Sequence, residues 1–241
     1  MHPVVATEIE FTLFGSAQRD LTAFWSEVRG HCEADSISIF NIEKERGREQ
    51  HEVSLQCSRD VAKIISDTEQ LKKIISECAG THSMQASFAA KPVADEPGNG
   101  LHVHVHLEDA SGKNLFWKKD DAMSEELSAS IAGLLATMAE NLAIFVPNEE
   151  SKKRFVAGSN APTTVSWGAN NRTCAIRLPD KAADNKHIEH RVSGADVDVG
   201  AVVAAILAGI EYGIQNKLTP PPQIYGDASL PMYALPRLFP E

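Results

Sequence analysis

The clearest alternation of hydrophobic and polar positions runs from Gly100 to Leu107, Gly-Leu-His-Val-His-Val-His-Leu. Successive side chains of a β-strand point to opposite faces, so this pattern predicts a strand with two different faces. One face carries His102, His104 and His106, and the other carries only leucine and valine. The apolar face fits a core, which leaves the imidazole face to line a functional site. The alternative is a half-exposed strand whose histidines meet only water.

Other segments carry helical spacing or strand-like alternation. Helices are predicted over 19–32, 59–78, 124–145 and 199–215. Ser58, Ser124 and either Asp196 or Asp198 are suited to be the N-caps of the last three. Strands are predicted over 1–14, 36–42, 53–57, 83–90, 114–117, 163–167, 173–178 and 188–192. The charged run 43–52 by itself predicts a polar hairpin loop, and the prolines of the tail 218–241 exclude regular structure there.

Composition narrows the classes of function. The chain has 241 residues, of which 43 % are hydrophobic and 23 % charged, as in a packed globular protein. Its formal net charge of −10 gives no bulk attraction to nucleic acid or to anionic membranes. The cysteines have no spacing typical of disulfides or zinc sites, so we expect reduced thiols in a cytoplasmic protein. No signal peptide, membrane-spanning run, internal repeat or linker is evident.

Polar residues on the predicted strands indicate a metal and phosphate site. Carboxylates beside imidazoles suit Mg²⁺ or Mn²⁺. These residues are Glu8, Glu10, Glu45, Glu52, Glu189 and the three histidines, and the second half adds Arg154, Arg172, Arg177 and Arg191. Hard divalent ions with arginines are what phosphoryl transfer requires, because its transition state spreads negative charge over phosphate oxygens. Neither a Walker loop nor a Rossmann glycine motif is present, so a nucleotide must be held in another way.

Six motifs follow one another along nearly the whole chain. They are Thr7-Glu8-Ile9-Glu10-Phe11; Glu45 and Glu52 with Gln50 between them; Lys91-Pro92 followed by Gly98 to His106; Lys153-Arg154 to Gly158 with Ala161-Pro162; Asn171-Arg172 to Arg177-Leu178-Pro179; and Glu189-His190-Arg191 with Ala195-Asp196. In this order they resemble the catalytic domain of the glutamine synthetase superfamily. Ser166-Trp167-Gly168 and Glu189 to Val192 look most like the glutamate–polyamine or glutamate–amine ligases within it.

The resemblance implies an α+β fold, in which a curved antiparallel sheet backed by helices forms half of a funnel-shaped site. It also implies two or more Mg²⁺ or Mn²⁺ ions. One ion would be held by Glu10, Glu45 and Glu52, and another by Glu8, His102 and Glu189. The residues implied to bind glutamate are Gly98, Gly100, Arg154 and Arg191. Those implied to contact ATP are His104 and Arg172, and those implied to stabilise the transferred phosphoryl group are Arg172 and Arg177.

The implied reaction has two steps. ATP phosphorylates the γ-carboxylate of glutamate, and an amine then displaces phosphate to give a γ-glutamyl amide. Asn160 stands where the family has a glutamate that helps to deprotonate ammonium. An asparagine side chain cannot act as a base, which argues against ammonium as the substrate more than against catalysis.

Domain organisation is the point at which the chain differs most from the family. Family members have a small N-terminal β-domain and a C-terminal helical extension. We expect residues 1–241 to be a single catalytic domain without either, completed by a homo-oligomer or by a separate chain. A non-catalytic homologue that binds metal and nucleotide is the alternative. A His-rich metal hydrolase is a third reading, but it leaves the arginines unused.

Overall fold

The computed structural model describes residues 1–118, 123–156, 158–159, 161–180 and 185–239. A sheet of eight strands lies at the centre of these residues. The strands are β1 (His2–Phe14), β2 (Ile39–Lys44), β3 (Gln50–Leu55), β4 (Gln85–Ser87), β5 (Leu101–Glu108), β6 (Trp167–Ala169), β7 (Ile176–Leu178) and β8 (Ile188–His190). Their order is β2-β3-β1-β5-β8-β7-β6, and β4 pairs with β1. The two longest strands, β1 and β5, therefore lie side by side in the middle.

The predicted antiparallel pairing holds except at one edge of the sheet. β6 and β7 pair in parallel, so the sheet is mixed. The loop between them explains the difference. Asn170 takes a left-handed backbone conformation with φ 46°, and its N–H donates to the Leu178 carbonyl at 2.7 Å. A turn from Asn171 to Cys174 then brings the chain back alongside β6.

Helices cover one face of the sheet and form the core with it. They are α1 (Thr22–Ala34), α2 (Val61–Thr81), α3 (Glu125–Ala136), α4 (Leu142–Phe145), α5 (Glu149–Lys152) and α6 (Val199–Gln215). The apolar side chains of β5 belong to this core and are at most 5 % exposed: Leu101, Val103, Val105 and Leu107. This confirms the two-faced strand, and it leaves the histidines of β5 on the polar face of the sheet.

Helices α2, α3 and α6 begin at residues whose side chains cap the helix N-terminus. Ser124 and Asp198 cap α3 and α6 as predicted, by accepting from the N–H groups of Leu127 and Ala201. The predicted cap at Ser58 was wrong. Asp60 caps α2 instead, by accepting from the Lys63 N–H at 3.0 Å, while the Ser58 hydroxyl accepts from the Asp60 N–H.

The single helix predicted over 124–145 was also wrong, because the chain breaks it after Ala136. Glycines bring α3 very close to α6, so that a Cβ on Gly133 would lie 2.1 Å from the Gly209 carbonyl oxygen. The Thr137 hydroxyl donates to the Gly133 carbonyl at 3.0 Å, and the chain turns before α4 begins. The predicted strand 114–117 is reduced to one bridge, between Glu108 and Asn114.

The tail after Leu218 has no long regular element among its described residues, as predicted, and contains one short 3₁₀ turn, Pro231–Tyr233. It is nevertheless ordered by contacts with the segment around β6. The Trp167 indole donates to the Pro221 carbonyl at 2.7 Å, and the Ile224 N–H donates to the Trp167 carbonyl at 2.9 Å. None of the described helices combines the length and hydropathy needed to cross a bilayer.

Candidate active site

Three carboxylates meet where β1, β3 and the hairpin after β2 come together. Glu10 and Glu52 are direct cross-strand partners, and Glu45 follows the end of β2. Each offers a carboxylate oxygen, and these oxygens lie within 4.8 Å of one another. Glu10 and Glu52 are both buried. The charged run 43–52 is thus a hairpin, as its composition predicts, and also brings two acidic groups to the polar face.

The electrostatics of this cluster call for a cation. Burial and the neighbouring carboxylates Glu8, Glu10, Glu45 and Glu189 raise the pKa of Glu52 to about 10. Burial and Glu10 also raise the pKa of Glu45. Carboxyl groups this close cannot all be ionised unless a cation lies between them. An all-oxygen donor set of this kind fits Mg²⁺ or Mn²⁺.

A second group forms where β1, β5 and β8 meet. Glu8 faces His102 across the β1–β5 pair, and His104 faces Glu189 across the β5–β8 pair. His102 Nδ1 lies 3.4 Å from Glu8 Oε2 and 3.6 Å from Glu189 Oε1. His104 Nε2 lies 3.0 Å from Glu8 Oε1.

The geometry brings together Glu8, His102 and Glu189, which the family resemblance assigned to a second metal, and adds His104 and Glu52. Oxygens of Glu8 and Glu189 lie within 4.8 Å of each other and of a His104 nitrogen, and Glu8, Glu52 and His102 form another such group. Burial opposes ionisation of Glu8, but His104 and His102 outweigh it and hold the pKa of Glu8 well below its ordinary value. His104, which the family resemblance assigned to ATP, also lies within ion-pairing distance of Glu8.

Two arginines hold both oxygens of Glu189. Arg177 Nη1 donates to Glu189 Oε2 at 2.7 Å, and Arg191 Nη1 donates to Oε1. The other arm of Arg177 donates to Asn170 Oδ1 at 2.6 Å. Burial opposes ionisation of Glu189, but Arg191 and the two nearby histidines lower its pKa to about 2. Glu189 is therefore ionised at neutral pH.

Arg154 lies in the wall of the site and has little freedom to move. It is 3 % exposed, and it donates to the backbone carbonyls of Val192 at 2.9 Å and Arg191 at 3.2 Å. Burial lowers its pKa to about 10, so it keeps its charge at neutral pH. A buried, immobile guanidinium is suited to hold a carboxylate.

The loop before β5 is pressed against Arg154. A Cβ on Gly98 would lie 2.3 Å from the Ala90 carbonyl oxygen and 2.8 Å from Arg154 Cγ. A Cβ on Gly100 would lie 2.7 Å from Arg154 Nη2 and 2.8 Å from His102 Nε2. Both positions require glycine, because any side chain would displace groups of the site.

A polar cleft is lined by some of these groups, whereas Glu8, Glu52, His104, Arg177 and Glu189 are not part of its lining. Its lining residues include Glu10, Glu45, Gln50, Gly98, His102, Arg154, Arg172 and Arg191. Arg46, Pro97, Ser159 and Ala161 complete the lining. The positive charge of Arg172 lies close enough to Glu45 to oppose the rise of the Glu45 pKa. The cleft thus contains both arginines and carboxylates that fit a metal ion.

Sequence reasoning assigned no role to two residues that hold the glycine loop. The Gln50 amide donates to the Gly98 carbonyl at 3.0 Å and to Asn99 Oδ1 at 3.1 Å. Asn99 is fully buried, and its amide donates to the carbonyls of Ser87 at 3.2 Å and Ala89 at 3.0 Å. An asparagine between two glycines is typical of an exposed turn, so the sequence gives no sign that Asn99 is buried. The position of Gln50 between Glu45 and Glu52, in a motif that resembles a metal-binding segment, was the one available indication of its role.

Comparisons with known proteins identify the family to which this chain belongs. Residues 16–233 match the family model for the glutamine synthetase catalytic domain. The chain is 35 % identical over 178 residues to gamma-glutamylputrescine synthetase PuuA of Escherichia coli (strain K12), covering 74 % of this chain and 38 % of that protein. It is 36 % identical over 204 residues to glutamate–isopropylamine ligase of a Pseudomonas species, covering 84 % and 44 %. The chain therefore spans less than half the length of these relatives.

Solved structures show the same fold. The GmaS/ADP complex superposes with a TM-score of 0.85 at 24 % identity and covers 98 % of this chain and 60 % of that one. Plasmodium falciparum glutamine synthetase gives a TM-score of 0.82 at 21 % identity, covering 91 % and 53 %. The predicted α+β fold is thus confirmed, and the chain belongs to the glutamine synthetase catalytic-domain family.

Proposed function

We propose that this chain carries the site of a ligase that uses ATP to join the γ-carboxylate of glutamate to an amine. One observation carries the proposal. A single cleft is lined by the carboxylates Glu10 and Glu45 and by the guanidinium groups of Arg154, Arg172 and Arg191. Carboxylates suit a divalent cation, and guanidinium groups suit a polyphosphate and a carboxylate substrate. The family membership supports this assignment.

Two divalent ions, Mg²⁺ or Mn²⁺, fit the carboxylate groups. Glu10, Glu45 and Glu52 would hold one of them. Glu8 and Glu189, with His102 or His104, would hold the other. Bound there, the ions supply positive charge to the phosphate oxygens of ATP.

The arginines divide the remaining work. Buried Arg154 and Arg191 bind the carboxylate groups of glutamate and fix its orientation. Arg172, which lines the cleft, and Arg177, which is bonded to Glu189, neutralise the charge that develops on the phosphoryl group during transfer.

The chemistry balances in two steps. A γ-carboxylate oxygen attacks the terminal phosphorus of ATP, and ADP leaves. The amine nitrogen then attacks the acyl carbon, the C–O bond to phosphate breaks, and the nitrogen loses a proton. Activation is needed because a carboxylate is a poor electrophile, whereas phosphate is a good leaving group.

An organic amine is a better candidate for the acceptor than ammonium. Two relatives are named for putrescine and isopropylamine as partners of glutamate. Asn160, which replaces the family's glutamate, provides no base for ammonium. It lies outside the described residues, so this part of the proposal rests on the sequence.

ADP release by the purified chain tests the proposal. The assay contains Mg²⁺, ATP and glutamate, with putrescine, isopropylamine or ammonium as acceptor, and mass spectrometry identifies the product. Release that requires both glutamate and an amine, with a γ-glutamyl amide as product, supports the ligase. Binding of Mn²⁺ and ATP without release overturns it and favours a non-catalytic homologue.

A further inference from the structure

A cluster of side chains of metal-ligating types lies between α1 and α2, apart from the residues that line the cleft. Glu27 and His31 are one turn apart on α1, and Cys78 lies near the end of α2. One carboxylate oxygen, one imidazole nitrogen and the thiol sulfur of these residues lie within 4.8 Å of one another. The two helices run antiparallel, because Glu27 lies near Cys78 at the end of α2, whereas Asp35 at the end of α1 accepts from Gln70 in the middle of α2.

Neighbours on α2 hold the Glu27 carboxylate in place. His82 Nε2 lies 2.8 Å from Glu27 Oε2, and the Thr81 hydroxyl donates to Oε1 at 3.1 Å. The same Oε1 atom lies 4.0 Å from His31 Nε2. Since both residues that fix Glu27 come from the end of α2, the carboxylate is oriented toward the gap between the helices.

The three donors differ in their access to solvent. The Cys78 side chain is 2 % exposed, whereas the His31 side chain is 61 % exposed and Glu27 is 34 % exposed. The sulfur thus forms the floor of the cluster, and the imidazole forms its outer edge. An ion held here is open to water on the side of His31.

We propose that Glu27, His31 and Cys78 bind a borderline-soft divalent cation of the Zn²⁺ class, with His82 as a positioning residue for Glu27. A sulfur, nitrogen and oxygen donor set is one that zinc accepts, and three protein ligands plus water complete its tetrahedral coordination. Mg²⁺ does not compete here, because it prefers oxygen ligands only. The cluster therefore selects a different metal from the carboxylate site.

Binding is accompanied by loss of a proton. Burial, with a contribution from Glu27, raises the pKa of the Cys78 thiol to about 11, so the sulfur is protonated without metal. The thiolate is the form that binds a metal ion, so the proton passes to solvent when the cation enters. The ion's charge then stabilises both the thiolate and the Glu27 carboxylate.

Co²⁺ titration of the full chain in excess Mg²⁺ tests the proposal. A thiolate bound to Co²⁺ gives a charge-transfer band in the near ultraviolet, which carboxylate and imidazole ligands do not give. We expect the band in the wild-type chain and its loss in Cys78→Ser. Cys174→Ser removes another buried thiol, and Glu10→Gln alters the cleft, so both controls should keep the band.

Two more variants test the proposal without altering the buried Cys78, whose replacement could disturb folding. His31 is exposed, so His31→Ala should fold normally, as thermal unfolding would verify, and should lose most Co²⁺ and Zn²⁺ affinity. His82→Gln should weaken binding by about 10- to 100-fold, as removal of a residue that orients a ligand typically does. Absence of the band in the wild-type chain would overturn the proposal, and so would unchanged Zn²⁺ affinity in His31→Ala.

Discussion

The backbone N–H of Gly100 donates to Glu10 Oε2 at 2.6 Å. This bond ties the loop that precedes the histidine strand to a carboxylate of the acidic cluster. Glu10 in turn donates its backbone N–H to the Gly100 carbonyl at 2.9 Å. The same loop contacts Arg154, so one backbone segment positions both a candidate metal ligand and a candidate substrate-binding guanidinium.

Replacing Gly100 with alanine should therefore damage the site. The new Cβ would lie 2.7 Å from Arg154 Nη2, and overpacking of this kind costs about 1–3 kcal/mol of stability. We expect Gly100→Ala to lower the unfolding temperature and to weaken Mn²⁺ binding in calorimetry.

Gly30 provides the matched control for that substitution. It lies within α1, and a Cβ there would meet nothing within 4 Å. Gly30→Ala should raise the free energy of unfolding by about 0.5–1 kcal/mol, because alanine is the better helix former. Equal behaviour of the two variants would show that the close approach at Gly100 has no consequence.

Glu52→Gln should make the metal-free protein more stable and should weaken metal binding. The pKa of Glu52 rises from an ordinary 4.5 to about 10 on folding, so the unfolded chain gives up its proton first and the metal-free protein loses stability as the pH rises through that interval. At pH 8 the metal-free variant should be more stable than the wild-type chain, by about 1 kcal/mol or more. Urea unfolding measures this difference.

Added Mn²⁺ should reverse that order. It should stabilise the wild-type chain more than Glu52→Gln, which keeps only one of the two carboxylate sites, that of Glu8 and Glu189. Calorimetry should also show weaker Mn²⁺ binding in Glu10→Ala and Glu52→Ala. Full Mn²⁺ affinity in both alanine variants would remove these carboxylates from the metal site.

Arg177→Lys should reduce turnover more than substrate binding. Arg177 bridges Glu189 and Asn170 with two arms of one guanidinium, and a lysine ammonium cannot occupy both positions. If Arg177 stabilises the transferred phosphoryl group, kcat should fall on the order of 100-fold or more, with a smaller change in the KM for glutamate. Steady-state kinetics measures this split.

Arg59 provides a control, because it forms a similar arginine–glutamate ion pair at the surface. Its Nε donates to Glu108 Oε2 at 2.6 Å, and its side chain is 62 % exposed. Arg59→Lys should leave kcat and KM unchanged. An equal fall in both variants would mean that Arg177 acts only through general stability.

A buried histidine should make the fold sensitive to acid. His190 packs against Phe145 with ring centroids 4.5 Å apart, and neither ring nitrogen has a hydrogen-bond partner among the described residues. Burial, helped by His102, lowers the pKa of His190 from 6.5 to about 3. Between pH 6.5 and about pH 3, His190 binds a proton in the unfolded chain but not in the folded chain. Stability therefore falls as the pH falls through this interval.

His190→Leu should flatten this dependence. From pH 7 to pH 4.5 the wild-type chain should lose about 2 kcal/mol more stability than the variant, since one pKa unit corresponds to about 1.4 kcal/mol. Urea unfolding at the two pH values measures the difference. Parallel curves would show that His190 does not contribute to the acid response.

Local sequence signals predicted the parts of the fold that depend on short-range chemistry. The alternation from Leu101 to Leu107 predicted both faces of β5, because the strand period of two is set by the backbone alone. Ser124 and Asp198 were identifiable as caps because their side chains bond the backbone three residues on. The Glu10–Glu45–Glu52 grouping came from motif order, and its oxygens do lie together.

The features that the sequence did not predict depend on contacts between residues that are distant in the sequence. The break after Ala136 goes with the close approach of Gly133 to Gly209, 76 positions away. The parallel pairing of β6 and β7 depends on the left-handed conformation of Asn170, which the residue type permits but does not require. The proximity of His104 to both Glu8 and Glu189 depends on the strand order, which no single segment encodes.

The fate of a γ-carboxylate oxygen tests the central claim most directly. Glutamate labelled with heavy oxygen in its γ-carboxylate is incubated with the chain, Mg²⁺, ATP and an amine, and the inorganic phosphate is analysed by mass spectrometry. The ligase mechanism predicts that one labelled oxygen passes to phosphate for each amide formed, because the acyl phosphate breaks at its C–O bond. Phosphate released without label would contradict the account.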